Sequence, residues 1–142
     1  MSGFFGCVSR KECVADVFYG TDYHSHLGTK KAGMAFYNGE DFVRSIHSIE
    51  SAYFRNKFEP ELGRFLGIGV ISDMESQPIT VTSHLGRFAV VTVGRIDNLE
   101  EISAQLLKEK IHFAEMSGSA INPTEVVSIL INKGETFKEG IE

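Results

Sequence analysis

The sequence predicts an α+β protein in which antiparallel β-sheet packs against helices. Three observations carry this prediction. A strand-sized apolar run precedes a helical pattern at the N-terminus, an Asn-Gly dipeptide joins two further strand-like runs, and three β-rich runs are followed by two well-marked helix starts. The 142 residues suffice for one hydrophobic core but not for two independent ones, so we expect a single folding unit.

The N-terminal segment predicts a strand followed by a helix. Residues 3–9 form an apolar run between small residues, which is typical of a buried strand. Residues 11–26 follow a helical period that places Val14, Val17 and Phe18 on one face.

A hairpin is expected next, with its turn at Asn38-Gly39, because this dipeptide tolerates the positive φ of a tight turn. A short helix is expected from Ile49 to Arg55. Beyond it, three β-rich runs separated by turn residues predict a meander of antiparallel strands. These runs are FLGIGVIS, PITVTSH and RFAVVTVGRI.

Two helix starts are marked in the C-terminal half. Asp97 and Glu100 have the spacing of a capping box, and the helix that follows is expected to run to about Lys110. The stretch Asn122-Pro123-Thr124-Glu125 repeats the signal, with a cap, a proline at the first helical position and a glutamate three residues after the cap. Residues 135–142 (ETFKEGIE) are polar and aperiodic, so they predict a polar tail or a truncation point after a domain of residues 1–134.

Composition excludes several classes of function. Fourteen basic and nineteen acidic residues give a net charge of −5, which argues against nucleic acid as a partner. The longest apolar runs are strand-sized, so neither a membrane span nor a secretory leader is expected and we predict a cytoplasmic protein. Cys7 and Cys13 match no zinc-binding spacing, and we expect two reduced thiols in the core, no metal and no cofactor.

Five segments, in order along the chain, carry a resemblance to a known family. They are MSGFFG at residues 1–6, HLGTKKAG at 26–33, GIGVISD at 67–73 with QP at 77–78, VTVGRIDN at 91–98, and INPTE at 121–125. Together they resemble the N-terminal domain of class II (type 2) glutamine amidotransferases, which are N-terminal-nucleophile (Ntn) hydrolases, and most closely that of the amidophosphoribosyltransferases. The resemblance implies an αββα sandwich, which 142 residues would leave incomplete because the family domain is longer.

The resemblance also implies the site residues, and most of them depart from the family pattern. Ser2 stands where the family has its nucleophilic cysteine, and Val93 stands where it has the oxyanion asparagine. Gly94 keeps the second oxyanion donor, a backbone N–H. Ser72 and Pro123 replace the arginine and aspartate that grip the α-carboxylate and α-amino groups of glutamine.

The glutamine pocket of the family also includes the segment that begins at His26. His26 and Gly28 match the family motif, whereas Leu27 replaces an arginine. A lone histidine at a helix end also has a local alternative as a capping or hydrogen-bonding residue.

Two functions follow from the resemblance. The first is a glutamine amidotransferase-like domain of purine biosynthesis with impaired or absent glutaminase activity, a pseudoenzyme that binds glutamine or another small molecule weakly. The alternative is a non-catalytic domain that stabilises or regulates a phosphoribosyltransferase, located C-terminally or in trans, or that forms a homo-oligomer. Whether the chain is an enzyme stays open at this point.

Overall fold

A computed structural model describes residues 2–27, 30–59 and 63–142. The strands are β1 (Gly3–Val8), β2 (Lys31–Tyr37), β3 (Phe42–Ser48), β4 (Leu66–Ser72), β5 (Ile79–Ser83), β6 (Gly86–Val90), β7 (Met116–Ser117) and β8 (Ala120–Ile121). The α-helices are α1 (Val14–Tyr23), α2 (Leu99–Lys108), α3 (Pro123–Ile131) and α4 (Phe137–Ile141), and short 3-10 turns span His24–Leu27 and Phe54–Asn56. No helix in this part of the chain is long and apolar enough to cross a membrane.

Four strands form an antiparallel sheet in the order β1-β4-β2-β3. The hairpin between β2 and β3 confirms the turn predicted at Asn38-Gly39. Gly39 has a φ of +101°, and the side-chain oxygen of Asn38 accepts hydrogen bonds from the backbone N–H groups of Glu40 and Asp41. The asparagine side chain therefore stabilises the turn through these hydrogen bonds, and the glycine adopts the positive φ that the turn requires.

Helix α1 covers one face of this sheet and forms the main core with it. Thr21 lies so close to β4 that a Cβ on Gly69 would come within 1.9 Å of its hydroxyl oxygen, so only glycine permits this approach. The residues of this core that are at most 1% exposed come from the start of the helix, from the sheet and from the turn after β3. They are Cys13, Val14, Val17, Ala32, Phe54 and Ile71.

A second layer lies on the opposite face of the sheet. The Gln77-Pro78 peptide, which is cis, crosses β2 at Gly33, and a Cβ on Gly33 would come within 1.7 Å of the Gln77 carbonyl oxygen. Arg44 of β3 donates to the Pro78 carbonyl oxygen at 3.1 Å. The β5–β6 hairpin continues from Pro78, and α3 packs beside β5.

Gln77 holds this layer together through its side chain, which is only 3% exposed. Its amide nitrogen donates to the Thr92 carbonyl oxygen at 3.1 Å, and its amide oxygen accepts from the Thr92 N–H at 2.8 Å. The hydroxyls of Thr92 and Thr124 are 2.6 Å apart. The loop after β6 is thereby fixed to the segment before β5 and to the start of α3.

The predicted three-stranded meander is wrong, because β4 and β5 are not neighbours. Both edges of β4 are taken by β1 and β2, so no edge is left for β5, which pairs with β6 in a separate two-stranded sheet. The last β-rich run also ends as a strand at Val90 instead of continuing to Ile96. The predicted buried strand at the N-terminus lies at a sheet edge, with Phe4 and Val8 exposed.

Two local predictions about helices also need correction. The helix expected from Ile49 to Arg55 is only a 3-10 turn at Phe54–Asn56, where Phe54 is buried against Phe58. Helix α2 begins after Asn98 without a side-chain cap, since Asp97 pairs with Arg95 at 3.1 Å instead of capping the helix.

The start of α3 is confirmed, but its glutamate does not close a capping box. Asn122 caps the helix by accepting from the Thr124 N–H at 2.9 Å. The Glu125 carboxylate accepts instead from the backbone N–H groups of Ala114 and Glu115 at 2.8 and 2.9 Å.

Residues 135–142 do not form the aperiodic tail that the sequence predicted. They contain α4, which begins with a capping box between Thr136 and Glu139, and Phe137 packs edge-on against Phe88 at 5.3 Å. A helix of five residues is too short to show a hydrophobic period, which explains why the pattern was missed. The domain boundary at residue 134 stays a prediction.

Replacing Gly33 by alanine is expected to lower the free energy of unfolding by about 2–3 kcal/mol, because the new Cβ would overlap the Gln77 backbone. Gly6→Ala on β1 is the matched control, since the nearest neighbour of its Cβ would be the Ile68 side chain at 3.4 Å, which is close to ordinary van der Waals contact. Urea unfolding of both variants measures the difference, and an equal effect on both would show that the close crossing is not a constraint.

Replacing Gln77 by glutamate is expected to lower the free energy of unfolding by about 2–4 kcal/mol, because a buried carboxylate would face the Thr92 carbonyl oxygen that now accepts a hydrogen bond. Asn98→Asp introduces the same charge at the exposed start of α2, where it should be neutral or stabilising. Thermal and urea unfolding compare the two. A Gln77→Glu variant as stable as Asn98→Asp would disprove the role given to the amide.

Candidate functional site

The candidate site lies at the edge of the sheet where β1 begins and β4 ends. Gly3 pairs with Ile71, so Ser2 and Ser72 are each one residue beyond this pair on neighbouring strands. Ile71 faces α1, and alternation along the strands therefore directs Ser72 to the opposite face, together with its partner Lys31 on β2. The sheet thus brings the predicted nucleophile position and one clamp position into adjacent places.

Ser72 is buried and its hydroxyl is already used. It is 1% exposed, and its Oγ donates to the Glu75 carbonyl oxygen at 2.5 Å. This bond closes the loop between β4 and Gln77. The Ser72 hydroxyl therefore stabilises the loop that follows β4. A neutral hydroxyl also cannot form the bidentate ion pair that an arginine makes with a carboxylate.

Pro123 is the first residue of α3, and its neighbour Asn122 reaches the same loop. The Asn122 amide nitrogen donates to the Ser76 carbonyl oxygen at 2.9 Å, and its side chain is completely buried. The Pro123 side chain carries neither a negative charge nor a hydrogen-bond acceptor, so it offers nothing to an α-ammonium group. Its place at the helix start follows from its fixed φ.

Val93 and Gly94 follow Thr92, the residue that Gln77 holds. Val93 is 44% exposed, and Gly94 is exposed with a φ of +150° and no neighbouring atom within 4 Å of the position a Cβ would take. The bond between Thr92 and Thr124 brings this segment next to the start of α3. The positions of Ser72, Val93, Gly94 and Pro123 are thus grouped around the loop of residues 75–78.

His26 makes local contacts within the 3-10 turn after α1. Its Nδ1 lies within hydrogen-bond distance of the Tyr23 carbonyl oxygen, and its ring packs edge-on against the Tyr23 ring at 5.5 Å. These contacts favour a local hydrogen-bonding role for His26 over a role in binding glutamine. Gly28, the other residue predicted from this segment, lies outside the described residues.

Lys31 is a residue that the sequence reasoning missed. Its Nζ donates to the Ser76 hydroxyl at 3.0 Å, and the side chain is half-buried on the face that carries Ser72. The doublet Lys30-Lys31 looks like an ordinary polar stretch in the sequence. A period-two pattern extended from the core residues Ala32 and Met34 back to residues 30 and 31 could have indicated that the two lysines face opposite sides.

The two cysteines are free thiols, as predicted, and both pack in the core beneath α1. Burial raises the pKa of Cys13 to about 11, with a further contribution from its hydrogen bond with the Cys7 thiol. Cys13 is therefore a thiol at neutral pH and a poor nucleophile. Within residues 2–27, 30–59 and 63–142, no group of three metal-ligating side chains is close enough to hold an ion.

Comparison with known proteins shows what this architecture is similar to. The glutamine phosphoribosylpyrophosphate amidotransferase from B. subtilis, solved with ADP and GMP, is 21% identical with a TM-score of 0.76, and the match covers 99% of this chain and 31% of that one. A second solved structure, described as the allosteric regulatory enzyme of purine biosynthesis, is 20% identical with a TM-score of 0.80, covering 99% of this chain and 32% of the other.

No protein-family model and no curated protein sequence matches the chain. The chain spans about a third of the length of the two solved structures. At 20–21% identity, the likeness establishes the fold alone. It confirms the predicted class, a mixed α/β protein with antiparallel sheets and helices, in the fold of the two solved structures.

Proposed function

We propose that this chain is a glutamine amidotransferase-like domain of the amidophosphoribosyltransferase type that has lost glutaminase activity. The observation that carries the proposal is the arrangement of four substituted positions in a fold shared with phosphoribosylpyrophosphate amidotransferase. Ser2 lies beside Ser72, and the segments of Val93 and Pro123 meet near the loop that follows Ser72. Each of the chemical roles of the family is affected. The argument is chemical and proceeds role by role.

The nucleophile is the first role. A serine hydroxyl is a weaker nucleophile than a thiol at neutral pH, and in this class of mechanism it needs the free α-amino group of the first residue as its base. Serine at this position still permits slow chemistry if Met1 is removed. The substitution at Ser2 alone therefore does not decide the activity.

Oxyanion stabilisation and substrate binding weigh more. Val93 has no donor for a developing oxyanion, and loss of one such donor typically costs about 10²–10³ in rate. The Ser72 hydroxyl is bonded to the Glu75 carbonyl oxygen, and Pro123 is neutral, so neither position pairs with the charges of a free amino acid. Gly94 alone retains the group that the family uses, a backbone N–H.

A second candidate function is that of a non-catalytic domain that stabilises or regulates a phosphoribosyltransferase, in the same chain or in trans, or that forms a dimer. The observation that favours it is the edge strand β1, where Phe4 is 55% and Val8 is 82% exposed beside Phe65 at 51%. The neighbouring solved chains are about three times longer. An uncharged strand edge with exposed apolar residues is typical of a surface that is covered in the functional assembly.

The full-length protein is expected to release no glutamate from glutamine above the blank, and Ser2→Ala is expected to change nothing. Mass spectrometry after incubation with a diazoketone analogue of glutamine should find no adduct on Ser2. Ser9→Ala, just beyond the other end of β1, is the matched control. Turnover that is lost in Ser2→Ala and kept in Ser9→Ala would contradict the proposal.

A further inference from the structure

Lys31 places a cation on the strand next to Ser72, the position at which the arginine of the family is missing. We propose that Lys31 binds the anionic group of a small ligand here, and that the ligand carries a carboxylate or phosphate but no ammonium group. The inference rests on the proposed function in that it concerns the same group of residues. It assigns a binding residue and a ligand class to a site whose expected substrate is glutamine.

The first step is the position of Lys31 in the sheet. It pairs with Ser72 on one side and with Ser48 on the other, and it lies on the face that carries the second layer. A cation at residue 31 is therefore displaced by a single strand from residue 72, about 5 Å in a β-sheet. A four-carbon side chain spans such a distance easily.

The second step is how the ammonium group is held. Its Nζ donates to the Ser76 hydroxyl at 3.0 Å, and Ser76 is fixed in turn because its carbonyl oxygen accepts from the buried Asn122 amide at 2.9 Å. An ammonium group has three donors, and the bond to Ser76 uses one. The contact thus orients Lys31 toward the loop of residues 75–78 and leaves donors for a ligand.

The third step is charge. Among the described residues, Lys31 takes part in no ion pair, whereas the neighbouring cations Lys30 and Arg44 pair with Glu50 at 3.8 Å and Glu115 at 2.8 Å. Lys31 is half-buried, so its charge is partly desolvated while its acceptor is a neutral hydroxyl. A ligand oxyanion would supply the charge-assisted hydrogen bonds that the protein leaves unmade.

The fourth step concerns the ammonium group of an amino acid. The carboxylate that would receive it, by resemblance, is replaced by Pro123, which has no acceptor on its side chain. The ammonium group of a zwitterion such as glutamine would lose hydrogen bonds to water on binding and would gain no acceptor in their place. A dicarboxylate of the same length, such as glutarate, or inorganic phosphate has no such requirement.

The test is isothermal titration calorimetry of the full chain with glutarate, phosphate and glutamine as separate probes at constant ionic strength. Glutarate or phosphate is expected to saturate a single site, and glutamine to bind at least tenfold more weakly. Saturation by glutarate alone identifies a carboxylate ligand, and saturation by phosphate alone identifies a phosphate ligand. Lys31→Gln should lower the affinity for the probe that binds by at least tenfold. Lys31→Arg should retain most of that affinity.

Lys30→Gln is the matched control, because it removes the same charge from the adjacent residue, whose side chain is 61% exposed. Its affinity should stay within twofold of the wild type, and the thermal midpoints of all variants without ligand should report intact folding. Absence of saturable binding by glutarate and phosphate, equal losses in both lysine variants, or glutamine binding as tightly as glutarate would each overturn the inference. If the chain binds glutarate or phosphate and also hydrolyses glutamine, the proposed function is wrong and this site stands. If it neither binds these probes nor hydrolyses glutamine, only this site is wrong.

Discussion

The second layer of the fold depends on one pair of hydrogen bonds, from the Gln77 amide to both backbone groups of Thr92. The bonds are partly buried, and the backbone that carries Gln77 crosses β2 at Gly33, the residue of that strand that has no side chain to obstruct it. A primary amide is the side chain that can donate and accept at the same time in a planar group, so no carboxylate or hydroxyl can replace it here. Sequence, backbone approach and hydrogen bonding therefore constrain one another at this point.

The candidate site inherits its geometry from this constraint. Thr92 precedes Val93, and its hydroxyl meets Thr124, which follows Pro123. The loop that ends at Gln77 begins at Ser72 and presents Ser76 to Lys31. These residues are up to 93 positions apart in the sequence, yet each is connected to Gln77 through one or two hydrogen bonds and the residues next to them. The same hydrogen bonds therefore hold the second layer and the residues that the proposed function assigns to the site.

The predictability of these features follows the range of the interactions that determine them. The turn at Asn38-Gly39 and the cap at Asn122 are local, and the sequence predicts both correctly. The partition of strands between sheets is not local, because the periodicity of β4 and β5 is equally compatible with pairing to each other. The fold class was accessible through the strand-like runs, the Asn-Gly turn and the two helix starts, and the order of the five family-like segments agreed with it. Lys31 was not accessible, since its importance arises from its register with Ser72.

The neutral residues Ser72 and Pro123 spare this part of the fold the cost of an unpaired buried charge. An arginine and an aspartate facing an empty pocket are each tolerated because they balance one another or are hydrated, and removing one alone leaves the other uncompensated, at a cost of about 3–5 kcal/mol if it is buried. In this chain both positions are neutral, Ser72 and Pro123, so no unpaired charge of that kind remains. Ser72 is then free to be buried and to close its own loop, which an arginine could not do. The half-buried Lys31, which donates to the Ser76 hydroxyl, is the charged residue that we propose for ligand binding in this arrangement.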